Sequence, residues 1–477
     1  MRDFMRANKM KKSKQVPVIE EFKVEGLQGF PDRAIRFTNN QLILVGENGA
    51  GKTTLSRMLA YMLTRQWGLL SNYDFKKVQL TYSLRGKKQT AAFDKKTWEA
   101  SRAYDDFKSL SLLDGDATST ARYSVAYRHR GDIDSYDYRY LLDRLSSEMR
   151  YRDYSEIDSN FLVEFKKLNE QMEEAFSQHV LYLPTYRRIE EEWESFFNES
   201  RGDALRERRL RESYLSRQFE MISFGMKDVE KLIEAKTAEL REYSRREQNA
   251  LSIKYLKKLI KREYQQIDYS QFNGFDVDTV ISILNRVNED ILTGEEKIEL
   301  ANAVLRAISS ENPSALTDSD KMLCHYFLLL REFDISLKEK EKCFSEFIAT
   351  CNSYLKNKAF EYNPIDYSCS IARSKNNSND KLRIELADGK KATVALKNLS
   401  SGEKQIVGLF SKLYLDNTHG LFVFIDEPEL SLSIDWQRRL LPDVIASDNC
   451  KGLFAVTHSP FIFDNNLVGI VHGINEF

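Results

Sequence analysis

QLILVGENGAGKTT, residues 41–54, is the stretch on which the fold turns. Its first five residues, Gln41–Val45, are almost continuously apolar, the pattern of a strand buried on both faces of a parallel sheet. The next nine, Gly46–Thr54, fit the phosphate-loop pattern GxxxxGK[ST] in the strand-to-helix context that gives the pattern meaning. Glycines let the loop's backbone N–H groups curl around a phosphate without side-chain clash. The N-terminus of the following helix adds partial positive charge. Helical spacing begins at Leu55 and runs to Tyr61. The expected nucleotide-binding set is therefore Gly46, Glu47, Asn48, Gly49, Ala50, Gly51, Lys52, Thr53 and Thr54. Lys52 is expected to reach the β- and γ-phosphates of ATP, and the Thr53 hydroxyl to ligate Mg²⁺.

Phosphoryl transfer also needs an acid that holds the metal and a residue that acts on water. GLFVFIDEPELSL, residues 420–432, offers both. Five consecutive apolar residues, Leu421–Ile425, predict a buried strand that delivers Asp426 and Glu427 at its C-terminal end, where parallel sheets bind ligands. An Asp-Glu pair alone often does no more than cap the next helix. After such a strand, in a chain with a phosphate loop, Asp426 is expected to bind Mg²⁺, directly or through water. Glu427 is expected to act on the attacking water. A second apolar run, Leu453–Val456, ends at Thr457-His458-Ser459-Pro460, which brings His458 within reach of a γ-phosphate. Lys52, Glu427 and His458 are the expected catalytic residues.

The rest of the chain bounds the setting. Its 477 residues allow two or three domains. Charged residues make up 30%, pointing to long solvent-exposed helices, while Lys+Arg (71) and Asp+Glu (72) nearly cancel. No global field marks a nucleic-acid binder, so any such surface would be a local patch. Five cysteines without a CxxC pair give neither a disulfide framework nor a zinc site, which fits a reducing cytoplasm. No apolar stretch approaches the roughly 18 residues of a membrane span, and the basic N-terminus lacks the apolar core of a secretory signal.

Short strand patterns occur at Phe22–Val24, Ala34–Phe37, Val78–Leu84, Gln89–Phe93 and Val180–Leu183; residues 140–177 read as helical. From Ile189 to about Lys356 the pattern is helical almost throughout. Within it, 226–260 reads as an amphipathic helix or helical hairpin with Val229, Leu232, Ile233, Leu240, Tyr243, Leu251, Leu256, Leu259 and Ile260 on one face. Strands return at Tyr367–Arg373 and Leu382–Leu386 around the polar turn Lys375–Asp380. The expected architecture is an α/β P-loop head made from residues 1–188 and 357–477, interrupted by an α-helical insert, 189–356. RGDALRERRLRESYLSR, 201–217, carries six arginines against three acids and reads as a solvated helix, with a docking surface as the alternative.

Leu399-Ser400-Ser401-Gly402-Glu403 resembles the LSGGQ signature of the ABC ATPases, and the order phosphate loop, signature, Asp-Glu, His is that superfamily's order. IDEPELSLSIDWQRRLLPD (425–443), AVTHSPFIFDN (455–465) and YLPTYRRIEEE (182–192) are similar to the SMC/RecF/OLD-type branch. Within it they most resemble the ATPase subunits of bacterial anti-phage systems of the PARIS and Septu types. The resemblance implies that Ser400, Ser401, Gly402 and Glu403 contact ATP held by another copy, so the chain works as a homodimer or higher oligomer. It implies a separate TOPRIM-type or HNH-type nuclease effector and a phage-encoded trigger. It also implies a D-loop near Ser431–Asp435 and a metal-contacting glutamine, for which Gln79 and Gln89 are candidates. OLD-type nucleases carry a TOPRIM domain after the head, whereas this chain runs 19 residues past His458. The acidic clusters Asp114/Asp116 and Asp132/Asp134/Asp137 read as solvated turns rather than a nuclease centre. The competing reading is a RecF/RecN-like repair ATPase that binds DNA directly.

Overall fold

Wholly apolar runs and alternating ones sort the strands into two kinds of sheet. A computed structural model describes residues 16–95, 159–176, 178–184, 219–221, 226–272, 274–287, 289, 291–310, 316–373, 393–416, 418 and 420–476. In chain order the strands are β1 (Val18–Glu25), β2 (Arg33–Arg36), β3 (Gln41–Val45), β4 (Lys77–Leu84), β5 (Lys87–Asp94) and β6 (His179–Leu183). They continue as β7 (Phe219–Met221), β8 (Lys358–Asn363), β9 (Ser368–Arg373), β10 (Leu421–Asp426), β11 (Cys450–Thr457) and β12 (Val471–Gly473). The main helices are α1 (Lys52–Leu63), α2 (Ser159–Ala175), α3 (Met226–Ile260), α4 (Val277–Asn285), α5 (Gly294–Ser309), α6 (Asp318–Tyr354), α7 (Ser401–Leu415) and α8 (Ile434–Ala446). Two compact units result, Met1–Ser223 with Asn417–Phe477, and Phe224–Asp416.

In the first unit a parallel sheet runs in the order β12-β3-β11-β10-β6-β7. Every residue of β10 is buried, as a central parallel strand requires. Register positions the chemistry: Val45 pairs with Thr457, and Asp426 with Val456. The C-terminal ends of β3, β10 and β11 are therefore level, and Gly46, Glu427 and His458 leave the sheet at one edge. The second sheet, β2-β1-β4-β5, is antiparallel, and in β4 Val78, Leu80, Tyr82 and Leu84 alternate inward. One apolar core joins Phe22, Leu42, Leu44, Met58, Leu59, Phe176, Phe422, Phe424 and Phe454, each such side chain contributing about 1.5–3 kcal/mol by burial. Asn40, buried at φ +63, stitches the sheets: its Oδ1 accepts from Ile19 N at 2.6 Å, and its Nδ2 donates to the Pro17 and Lys451 carbonyls.

The second unit is helical, with the hairpin β8-β9 beside it. The stretch 226–260 forms one continuous helix, α3, rather than a hairpin, and it packs along α6. Val229, Ile233, Leu240 and Leu251 are buried, but Leu256 and Ile260 are 59% and 83% exposed. At roughly 100° per residue these two fall on the opposite side from Val229, which corrects the single face expected from sequence. Inside, Arg286 bridges Asp334 and Glu341, and Glu341 also accepts from Tyr362 Oη at 2.8 Å. Phe360 of β8 pairs with Ile371 of β9, so the strand expected at 367–373 has its described partner upstream, at 358–363. β7 likewise lies in a stretch expected to be helical; three residues, FEM, carry no readable period.

Residues 140–158, the acidic clusters between 114 and 137, the arginine-rich 201–217 and the expected strand 382–386 lie outside the described residues. Among the described residues no helix is long and apolar enough to cross a membrane. Burial pushes the Cys324 and Cys450 thiols up to about 12, which keeps them protonated and unreactive.

Candidate functional site

The loop after β3 is shaped by its glycines. A Cβ on Gly46 would stand 2.4 Å from Ile474 Cγ2, and Arg33 Nη1 holds that C-terminal turn by donating to the Ile474 carbonyl. Gly51 sits at φ +88 directly before α1, with Phe30 3.0 Å from where a Cβ would be. This is left-handed backbone that glycine adopts freely and other residues resist. Glu47, Asn48 and Gly49 are exposed at the tip of the loop, while Gly46, Ala50, Thr53 and Thr54 are half-buried.

Lys52 is buried beneath them. Its Nζ donates to the Gly46 carbonyl at 2.8 Å and the Glu47 carbonyl at 2.7 Å, and stands 2.9 Å from His458 Nε2. An ammonium has only donors, so Nε2 accepts and the ring proton of His458 is on Nδ1. Burial pulls the Lys52 pKa below the usual lysine value, against the opposing pull of Asp426, Glu427 and Glu429. The Thr53 hydroxyl donates to Asp426 Oδ1 at 2.9 Å, and Asp426 is itself buried at the end of β10. Two hard oxygens side by side suit Mg²⁺, which takes one or two protein oxygens and fills its other positions with water and phosphate.

Glu427 follows with φ +52, a left-handed conformation costing about 1–2 kcal/mol in a residue with a side chain. Its N–H still donates to the Val456 carbonyl at 2.8 Å, so the turn begins while the chain is held to β11. The structure thus brings together Gly46, Glu47, Lys52, Thr53, Asp426 and His458 by direct contact, with Glu427 next to Asp426.

Two residues that sequence reasoning missed complete the edge. Glu429 accepts from His458 N at 2.8 Å, Ser459 N at 3.1 Å and Thr457 Oγ1 at 2.7 Å. Gln437 of α8 donates to the Leu432 carbonyl at 3.0 Å and accepts from Ser459 Oγ at 2.7 Å. The only trace in sequence is a second acid in Asp426-Glu427-Pro428-Glu429 and three polar residues at the end of β11. Of the glutamine candidates, Gln79 pairs across the sheet with Lys23 and Ala92, and Gln89 accepts from Tyr82 Oη at 3.0 Å.

Ser400, Ser401, Gly402 and Glu403 belong to the second unit, at the N-terminus of α7. Ser400 is the N-cap; its hydroxyl accepts from Glu403 N, and Glu403 Oε2 accepts from Ser400 N at 2.7 Å. This capping box satisfies two backbone donors reciprocally. Lys358 of β8 donates to both Glu403 oxygens at 3.1 and 2.8 Å. Burial raises the Glu403 pKa, but the hydrogen bonds from Lys358 and Ser400 outweigh it and leave the carboxyl below the usual glutamate range.

Residues 18–463 match the family described as AAA ATPase domain. Among curated proteins nothing matches. Similar solved structures include the Smc head domain with an extended coiled coil bound to the C-terminal domain of ScpA from Pyrococcus furiosus, at 11% identity, 94% of this chain, 91% of that one and TM-score 0.32. The SMC head domain from Thermotoga maritima aligns at 10% identity over 96% and 94% of the two chains, with TM-score 0.32.

Proposed function

The chain belongs to the AAA ATPase domain family, and on that premise we propose that it binds ATP with Mg²⁺ at Gly46–Thr54 and hydrolyses it between two copies of itself. The reading is carried by the convergence of motifs hundreds of residues apart: Lys52 meets His458 at 2.9 Å, and Thr53 meets Asp426 at 2.9 Å. Nucleotide binding exchanges the contacts of Lys52 with the Gly46 and Glu47 carbonyls and His458 for phosphate oxygens. Thr53 and Asp426 would hold Mg²⁺, which when bound supplies positive charge against the phosphate oxygens. Glu427 orients the attacking water and accepts its proton, and His458 contacts the γ-phosphate. A second copy lends Ser400, Ser401, Gly402 and Glu403, whose helix α7 points its N-terminal partial charge at the same phosphate.

In keeping with the resemblance to SMC/RecF/OLD-type defence ATPases, this nucleotide cycle controls a separate nuclease effector in a cytoplasmic anti-phage complex, released by a phage-encoded trigger. The helical unit, with α3 about 50 Å long, offers the surface on which such a partner would sit. ATP binding and hydrolysis by the purified chain test the core of this reading. Glu427→Gln should keep ATP binding and lose about 10²-fold or more in hydrolysis. Equal rates in the variant and the parent would contradict the role given to Glu427.

A further inference from the structure

We propose that Glu429 and Gln437 are positioning residues that fix His458 and tie it to the turn Leu430–Ser433; this rests on the ATPase reading above. The geometry is specific. Among the described residues the His458 ring makes one hydrogen bond, through Nε2 to Lys52. Its backbone is held instead: one Glu429 oxygen receives the N–H groups of His458 and Ser459 at 2.8 and 3.1 Å. The other oxygen receives Thr457 Oγ1 at 2.7 Å, and that hydroxyl in turn accepts from Ser459 N at 3.0 Å. A carboxylate accepting several donors forms charge-assisted bonds roughly twice as strong as neutral ones.

Gln437 closes the circuit on the far side. Its amide orientation follows from its partners, since carbonyls only accept: Nε2 donates to Leu432 O at 3.0 Å and Glu429 O at 3.4 Å, leaving Oε1 for Ser459 Oγ. Two left-handed non-glycine residues mark this segment, Glu427 at φ +52 before the turn and Ser431 at φ +66 within it. Leu430 within the turn and Ile434 at the start of α8 are exposed apolar side chains, at 40% and 47%. Displacement of that turn would act through Gln437 on Ser459, the neighbour of His458, whose ring touches Lys52.

The test uses the full chain with ATP and Mg²⁺. Glu429→Ala should lower kcat by about tenfold to a hundredfold while KM changes less than about threefold, because a misplaced group costs rate rather than nucleotide affinity. Glu429→Gln keeps an oxygen for the two N–H donors and should recover most of the loss. In a His458→Ala background, Glu429→Ala should cost nothing further, since both changes remove one function. Multiplying losses, or wild-type kcat in Glu429→Ala, would overturn the assignment. Nitrogen NMR of the His458 ring gives an answer that needs no turnover. The parent should show one Nδ1–H tautomer, averaged in Glu429→Ala and Gln437→Ala; unchanged ring signals in both would overturn it. Absence of hydrolysis in the parent, with the tautomer still dependent on Glu429, would count against the ATPase reading alone.

Discussion

At position 403 an acid stands where the signature it resembles carries glutamine, and the structure supplies a reason. Glu403 completes a capping box with Ser400 and an ion pair with Lys358, two tasks a neutral amide performs less well. Lys358→Ala should destabilise the helical unit by roughly 1–3 kcal/mol, the cost of leaving a buried acceptor underused. The pH dependence follows from a folded pKa held below the ordinary 4.5: the stabilisation is complete above that value and is lost as the pH falls through the lower folded one. Thermal unfolding of parent and variant from neutral pH downwards should therefore differ most near neutrality and converge in acid. Single residues were unevenly legible. Lys52, Thr53, Asp426 and His458 follow from motif spacing, because phosphate chemistry demands those types after those strands. Glu429 and Gln437 do not, since they act through backbone N–H and carbonyl groups that no sequence pattern records.

Among elements, legibility tracked length and period. β3, β10 and β11 are apolar runs ended by motif residues and were readable; α3 was readable as a helix but not in its facing. Its apolar positions drift around the axis, so Leu240 is buried at 1% exposure while Leu256 is 59% exposed. Leu240→Ala should cost about 2–5 kcal/mol in denaturant unfolding, and Leu256→Ala no more than about 0.5. Equal costs would mean that α3 buries its C-terminal half against something else. β7 and β8 escaped because an alternation confined to three to six residues carries little signal until a neighbouring strand supplies the pairing.

For the whole molecule, the order of the parallel sheet explains why the chain must return. β3 comes from near the N-terminus and lies between β11 and β12 from the far end, so the phosphate loop acquires its acid and its histidine only when both ends fold together. That union was visible in the sequence as motif order. On the proposed function, one copy's phosphate loop is completed by another copy's signature. Mixing Lys52→Ala protein with Ser400→Arg protein tests it most directly. Each alone should be inactive, but a mixed pair holds one intact phosphate loop facing one intact signature. An equimolar mixture should regain roughly a quarter of the parent's ATP hydrolysis rate, the share of working sites expected from random two-fold pairing. A mixture as inactive as its two components would contradict the claim.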